Sequence, residues 1–257
     1  MIEYSRNTSF AIDNKEIRKM LWKDGKKKAL TLSYDDGTIH DRRFIDLLNK
    51  YGIPCTFNLV SGVLKDEKFE IDYSETPIED HKWIPVAKFE VPELYKNHEV
   101  ASHTVTHPNL LKCTDEEINK EIADDRKALQ KLTNQEVTGF AYPYGAWDDE
   151  LTKKLEKLGI VYARNVGETH NFGIPENFLS WNPTCHHDDP ELKNLIKKFL
   201  ESDNEGDLFY LWGHSYEFYI NNNWELIEEF LKIMSEHKDE IWFATNLEIY
   251  NYIQENK

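Results

Sequence analysis

Residues 29–37 read Ala-Leu-Thr-Leu-Ser-Tyr-Asp-Asp-Gly, and this stretch decides the fold. Ala29 to Tyr34 is an apolar run of strand length, rich in residues that fit a pleated surface, and it is stopped by two carboxylates and a glycine. Asp41 to Tyr51 follows with apolar residues at helical intervals. A buried strand, a polar turn and a helix make the opening unit of a parallel α/β sheet. The pattern then repeats. Cys55 to Val60, bounded by Pro54 and Ser61-Gly62, reads as the next strand, and Glu99 to Ser102 as a third. Thr114 and Glu117 fit a capping box that opens a helix carrying Ile118, Ile122, Ala128, Leu129 and Leu132. Further strands are expected at Val137 to Ala141, Val161 to Ala163, Phe178 to Trp181, Leu208 to Trp212 and Ile241 to Thr245. Helices fit at Asp148 to Leu158, Pro190 to Leu200, Trp224 to His237 and after Asn246. Such alternation implies a parallel sheet, either closed into a barrel or open and doubly wound, and periodicity does not choose between them.

No repeat or composition shift divides the 257 residues, so one domain is expected over 1–257, with the charged, irregular stretch 64–90 as a surface insertion. A formal net charge of -16 disfavours a nucleic-acid partner. The one basic run, Lys23 to Lys28, is broken by Asp24 and Gly25 and reads as a solvated turn. Cys55, Cys113 and Cys185 are far apart and odd in number, which disfavours both a cysteine zinc site and a disulfide scaffold. No stretch approaches the roughly 18 apolar residues of a membrane span, and Met1 to Lys28 has no signal-like apolar core, so a cytoplasmic protein is expected, or a secreted one if a signal peptide has been removed.

Four polar groups each follow an expected strand: Asp35-Asp36-Gly37, then His103 with His107, then Tyr142-Pro-Tyr-Gly145, then His214. In a parallel α/β fold the carboxyl ends of all strands share one side, so these groups would converge in one cleft. His103 and His107, read as one helical turn apart, could share an ion, but two histidines at this spacing also arise by chance. Asp35-Asp36-Gly37 is equally a turn signal. Adjacent carboxylates repel unless a cation lies beside them, and with one present the pair can divide labour, one binding the ion and one accepting a proton. His214 also reads as a satisfied buried histidine, although Gly213 beside it implies close backbone approach at a strand end. Trp181 and Tyr144 belong to a set of aromatics that are either core or cleft-lining.

Together these pieces resemble the polysaccharide deacetylase family, the carbohydrate esterases that share the NodB homology domain. Ser33-Tyr-Asp-Asp-Gly37 is similar to its first motif, usually written TFDDG, and Ser102-His-Thr-Val-Thr-His-Pro108 to its second. Ala141-Tyr-Pro-Tyr-Gly145 resembles the third motif and Leu211-Trp-Gly-His214 the last, while Cys55-Thr-Phe-Asn-Leu59 matches the second strand. The motifs occur in family order across about residues 28–245. The resemblance implies a distorted (β/α) barrel of seven or eight mostly parallel strands that removes N- or O-acetyl groups from a saccharide. It implies Asp36, His103 and His107 as ligands of one divalent ion, zinc first, with cobalt, manganese or nickel as substitutes. Asp35 then becomes the base and His214 the acid, with Tyr144 and Trp181 at the oxyanion and substrate. Two positions depart from the pattern. Ala141 stands where an arginine usually orients the base, and Arg164 is the residue that could reach in instead. Ser180 stands where an aspartate usually tunes the acid, leaving His186, His187, Asp188 and Asp189 as substitutes. The same site would also serve a non-sugar amide, and a sugar-binding module could keep the fold without turnover.

Overall fold

The computed structural model describes residues 21–68 and 84–256. The element order is β1 (Lys28–Asp36), α1 (Asp41–Tyr51), β2 (Thr56–Leu59), α2 (Val91–Leu94), β3 (Glu99–Ser102), α3 (Asp115–Thr133), β4 (Gly139–Ala141), α4 (Asp149–Lys157), β5 (Tyr162–Arg164), β6 (Cys185–His186), α5 (Leu192–Glu201), β7 (Asp207–His214), α6 (Ser215–Ile220), α7 (Trp224–Glu236), β8 (Ile241–Phe243) and α8 (Asn246–Glu255). All strand pairings among them are parallel, in the spatial order β5-β4-β3-β2-β1-β7-β6 with β8 against β1. The result is a curled sheet flanked by helices, a distorted (β/α) barrel.

β1 is the axis of the fold. One edge pairs with β7 from Lys28↔Asp207 to Asp35↔His214. The other edge is shared: Lys28 to Leu30 pair with β8, and Ser33 to Asp36 pair with β2. Alternation along the strand sends Leu30, Leu32 and Tyr34 into the main core under the helices. The intervening Thr31, Ser33 and Asp35 face the barrel interior, where Thr31 donates to Asn246 at 2.7 Å and Ser33 accepts from Asn58 at 2.8 Å. Below them Glu99 accepts from Thr56 at 2.7 Å and from Tyr162 at 2.5 Å, and burial raises its pKa. A second apolar cluster of Trp22, Tyr162, Trp181, Tyr210 and Trp242 fills the rest of that interior.

The open side is closed by one segment rather than by a strand pair. Phe178–Ser180 forms a 3-10 turn, not the expected strand, because the Asn177 side chain accepts from Leu179 N–H and diverts the chain. Only Trp181 pairs with β5, at Arg164, and four residues later Cys185 and His186 pair with β7. The surface insertion expected over 64–90 is corrected at its ends; residues 69–83 lie outside the described residues. Leu64, Val86 and Ala87 are buried, Val86 N–H donates to Gly37 at 3.0 Å, and Pro85 bridges to Thr38. These ends brace the turn that follows β1. No helix among the described residues is long and apolar enough to cross a membrane.

The capping box of α3 forms as the sequence implies, with Thr114 Oγ accepting from Glu117 N–H and Glu117 accepting from Thr114 N–H at 2.7 Å. Thr114→Ala should therefore lower unfolding free energy by about 1 kcal/mol without changing the m-value, measured by urea titration.

Candidate active site

Register places the polar groups. Asp35 pairs with His214 across β1 and β7, and with Asn58 across β1 and β2. Leu59 is level with Asp36 and with Ser102, after which His103 leaves β3. All therefore emerge at the carboxyl end of the sheet, as strand-end convergence predicts.

Asp35 is almost fully buried and points inward by alternation. One carboxylate oxygen accepts from Asn58 at 2.8 Å and the other pairs with the fully buried Arg164 guanidinium. Burial pushes the carboxyl up, but the Arg164 guanidinium beside it outweighs burial and holds the group at about 2. Arg164 lies over the Trp212 ring, 4.6 Å from its centroid, which fixes the guanidinium plane. The arginine missing at position 141 is thus supplied by the end of the neighbouring strand.

Asp36 would face the helices by alternation, but its φ of 80° turns the chain and returns its carboxylate to the cleft. Its Oδ1 lies 3.8 Å from His103 Nε2 and 3.9 Å from His107 Nε2, and the two ring nitrogens are 3.1 Å apart. The histidines are not a helical turn. They sit on a loop in which Thr104 (φ 69°) and His107 (φ 59°) are left-handed, and His107 N–H donates to Thr104 Oγ at 2.9 Å. Gly62 meets this loop closely, donating to Val105 O at 2.9 Å where any Cβ would clash. Buried Asp125 holds its start, accepting from Ser102 at 2.6 Å and from His103 N–H at 3.2 Å.

These three residues fit a divalent ion. Ligand atoms about 2.0–2.2 Å from one ion lie roughly 3–4 Å from each other, as observed. His103 Nδ1 is 2.8 Å from the Ala141 carbonyl, which can only accept, so Nδ1 carries the proton and Nε2 presents its lone pair to the cleft. Burial keeps that ring neutral, lowering its pKa to about 4.

His214 completes the cleft, with Nε2 3.9 Å from Asp35. Its other nitrogen lies 3.2 Å from Glu217, which sits in the first turn of α6 and accepts from His214 N–H at 3.1 Å. Burial opposes protonation of this ring, but the Glu217 carboxylate and the Asp35 charge prevail and raise its pKa to about 9. Glu217 is thus the carboxylate beside His214, whereas Asp188 and Asp189 turn to other partners: Asn221 and Asn223 bond Asp188, and His170 bonds Asp189. His186 and His187 do join the group, at 3.1 and 3.5 Å from Glu217. Sequence reasoning missed Glu217, although its spacing from His214 is that of a capping box, and its carboxylate does accept the His214 backbone N–H at this helix start.

Tyr144 occupies a left-handed turn (φ 60°) over Pro143–Gly145, exposed, with its ring edge-on to His107 at 4.7 Å. Trp181 is a correction. It is 1% exposed and wedged against Tyr162, Phe178 and Tyr210, so it is a core residue with no face for substrate.

The model of the family described as polysaccharide deacetylase matches residues 23–163. Among curated proteins, the chain is 25% identical over 191 residues to a poly-beta-1,6-N-acetyl-D-glucosamine N-deacetylase of Staphylococcus aureus, covering 67% of this chain and 59% of that one. It is 26% identical over 140 residues to a chitooligosaccharide deacetylase of Rhizobium leguminosarum, covering 52% of this chain and 54% of the relative. The chain thus spans less than two thirds of the length of these relatives. A putative polysaccharide deacetylase from Mycobacterium smegmatis has the same fold, with a TM-score of 0.61 at 15% identity over 93% of this chain and 94% of the other. A pseudoenzyme of carbohydrate esterase family 4 from Bacillus anthracis also shares it, with a TM-score of 0.54 at 19% identity over 88% and 66% of the two chains. The strand-end carboxylates, the paired histidines and the matched stretch from residue 23 to 163 lead to one assignment: this chain belongs to the polysaccharide deacetylase family.

Proposed function

We propose that this chain is a metal-dependent deacetylase that hydrolyses N- or O-acetyl groups on a saccharide. The observation that carries the reading is the position of Asp35, 3.8 Å from His103 on one side and 3.9 Å from His214 on the other. A candidate base stands between candidate ion ligands and a candidate acid. The names of the Staphylococcus and Rhizobium relatives support an N-acetylated glucosamine polymer or oligomer as substrate.

Asp36, His103 and His107 would hold the ion, and two imidazoles with one carboxylate suit zinc first among first-row metals. When bound, such an ion polarises the acetyl carbonyl and brings the pKa of water beside it down towards about 7. Asp35, anionic and fixed by Arg164 and Asn58, accepts a proton from the attacking water as its oxygen bonds to the acetyl carbon. The Tyr144 N–H, presented by the left-handed turn, faces the oxygen that gains charge. His214 donates its proton to the leaving nitrogen or oxygen as the bond to the acyl carbon breaks, giving acetate and the free amine or alcohol.

The test is acetate release from N-acetylated β-1,6-glucosamine oligomers, chito-oligosaccharides and acetylated xylo-oligosaccharides, with zinc, cobalt or manganese restored to the full chain. No release from any of them would sink the saccharide reading.

The acid role carries a pH signature. His214 must be protonated to donate, and its pKa is raised to about 9, so turnover should persist through neutrality and fall as pH rises through about 9. Glu217→Gln removes the anion that raises it, and the alkaline limb should move down towards the ordinary histidine value of about 6.5. A limb that stays in place would remove Glu217 from this role.

A further inference from the structure

Behind His214 lies a second convergence of donors that the proposed chemistry does not use in full. His186 ends β6, His187 follows it, and Glu217 comes from α6. Glu217 Oε2 is 3.1 Å from His186 Nε2, 3.2 Å from His214 Nδ1 and 3.5 Å from His187 Nε2. An ordinary cluster of hydrogen bonds would account for such distances, but not for the orientations. His214 Nδ1 and both ring nitrogens of the fully buried His187 have no hydrogen-bond partner. The His214 and His187 rings border the carboxylate oxygen without an N–H bonded to it, as ligands around a common point do.

His187 cannot turn away. Its ring lies parallel to Tyr34, at 7° and 5.7 Å between centroids, and packs on Phe218 at 4.2 Å. Its Nδ1 side abuts Gly213, where any Cβ would overlap the ring, so Nε2 is left towards Glu217. The close approach that Gly213 permits is thus to this histidine. The donor atoms of His186, His214 and Glu217 lie within 4.8 Å of one another, as do those of Asp36, His103 and His107, and the donor chemistry is the same.

We propose that His186, His214 and Glu217, with His187 beside them, form a second divalent-cation site of zinc type, and that filling it withdraws His214 from proton transfer. An imidazole whose Nδ1 lone pair is given to a cation cannot hold a proton on that nitrogen as well. His214 then keeps at most the Nε2 proton, and as a neutral ring it is a far weaker acid than imidazolium. Excess zinc would act as a brake built into the cleft.

The experiment counts ions on the full chain by equilibrium dialysis against rising zinc, followed by elemental analysis. Two ions per chain are expected in the wild type, one in His186→Asn, one in Asp36→Ala and none in the double variant. The His186 side chain is 17% exposed, so its loss spares the core, and Glu217→Gln provides an independent variant with the same expected count. A single ion in the wild type overturns the proposal. So does a second ion that survives His186→Asn and Glu217→Gln, or that disappears in His170→Asn, which would assign it to the Glu168, His170 and Asp189 group. The count does not depend on the deacetylase reading; the activity arm rests on it. Zinc beyond the first equivalent should slow acetate release about a hundredfold in the wild type, the scale of losing a general acid, and leave His186→Asn unaffected. Equal inhibition of both would overturn the braking role, and an absence of acetate release altogether would count against the function while leaving the ion count to decide the site.

Discussion

Asp35→Asn should reduce acetate release by about 10²–10⁴-fold while the chain keeps its ion, because a positioned general base contributes on that scale. Asp36→Ala should instead lose the ion itself. The two residues are neighbours in sequence, yet their surroundings separate them. Asp35 is committed to Arg164 and Asn58, with its anion held by the guanidinium. Asp36 turns out of the strand at φ 80° and puts Oδ1 at comparable distances from both histidine Nε2 atoms, 3.8 and 3.9 Å. Elemental analysis of the two purified variants, paired with turnover, checks the division. Equal ion content in both would reverse it.

The second large effect is expected at Arg164. Its guanidinium and the Asp35 carboxylate are both buried, so removing one partner strands a charge. Arg164→Met should cost about 3–5 kcal/mol of unfolding free energy, the range for breaking a buried ion pair. Turnover should fall too, since the base loses the group that keeps it ionised and oriented. Asp35→Asn combined with Arg164→Met should recover much of the stability, because a neutral amide beside a thioether leaves no unpaired charge. Additive losses in the double variant, read from denaturant midpoints, would show that the pair is not the coupled unit described here.

Much of this was legible in the sequence because the chemistry sits where strands stop. Asp35, Asp36 and His214 each end a stretch whose apolar run is unmistakable, His103 follows the short strand Glu99–Ser102, and α1 is found where its periodicity places it, Asp41–Tyr51. Arg164 was legible for the same reason, as the terminal residue of β5. What failed was what depends on local backbone hand or on neighbours distant in sequence. His103 and His107 read as a helical pair only if φ is negative throughout, and Thr104 and His107 break that assumption. Phe178 to Trp181 has the composition of a strand, but one asparagine side chain bonding two residues on bends it into a turn. Trp181 matched a motif position yet is enclosed by rings from β5, β7 and the turn before it, contacts that no spacing rule reveals. Glu217 lay hidden because α6 has six residues, too few for periodicity to show.

The shared edge of β1 also bears on how the chain is made. Both strands that flank its first residues, β7 and β8, come from the last quarter of the sequence. A polypeptide emerging from the ribosome therefore holds its central strand unpaired along that stretch until β7 and β8 have been synthesised. Contacts so distant in sequence fold slowly and leave a sticky edge exposed in the meantime. The candidate base stands on that same strand, so its cleft is completed only after β7 has been made, and the nascent chain passes through a long interval in which it needs protection from aggregation.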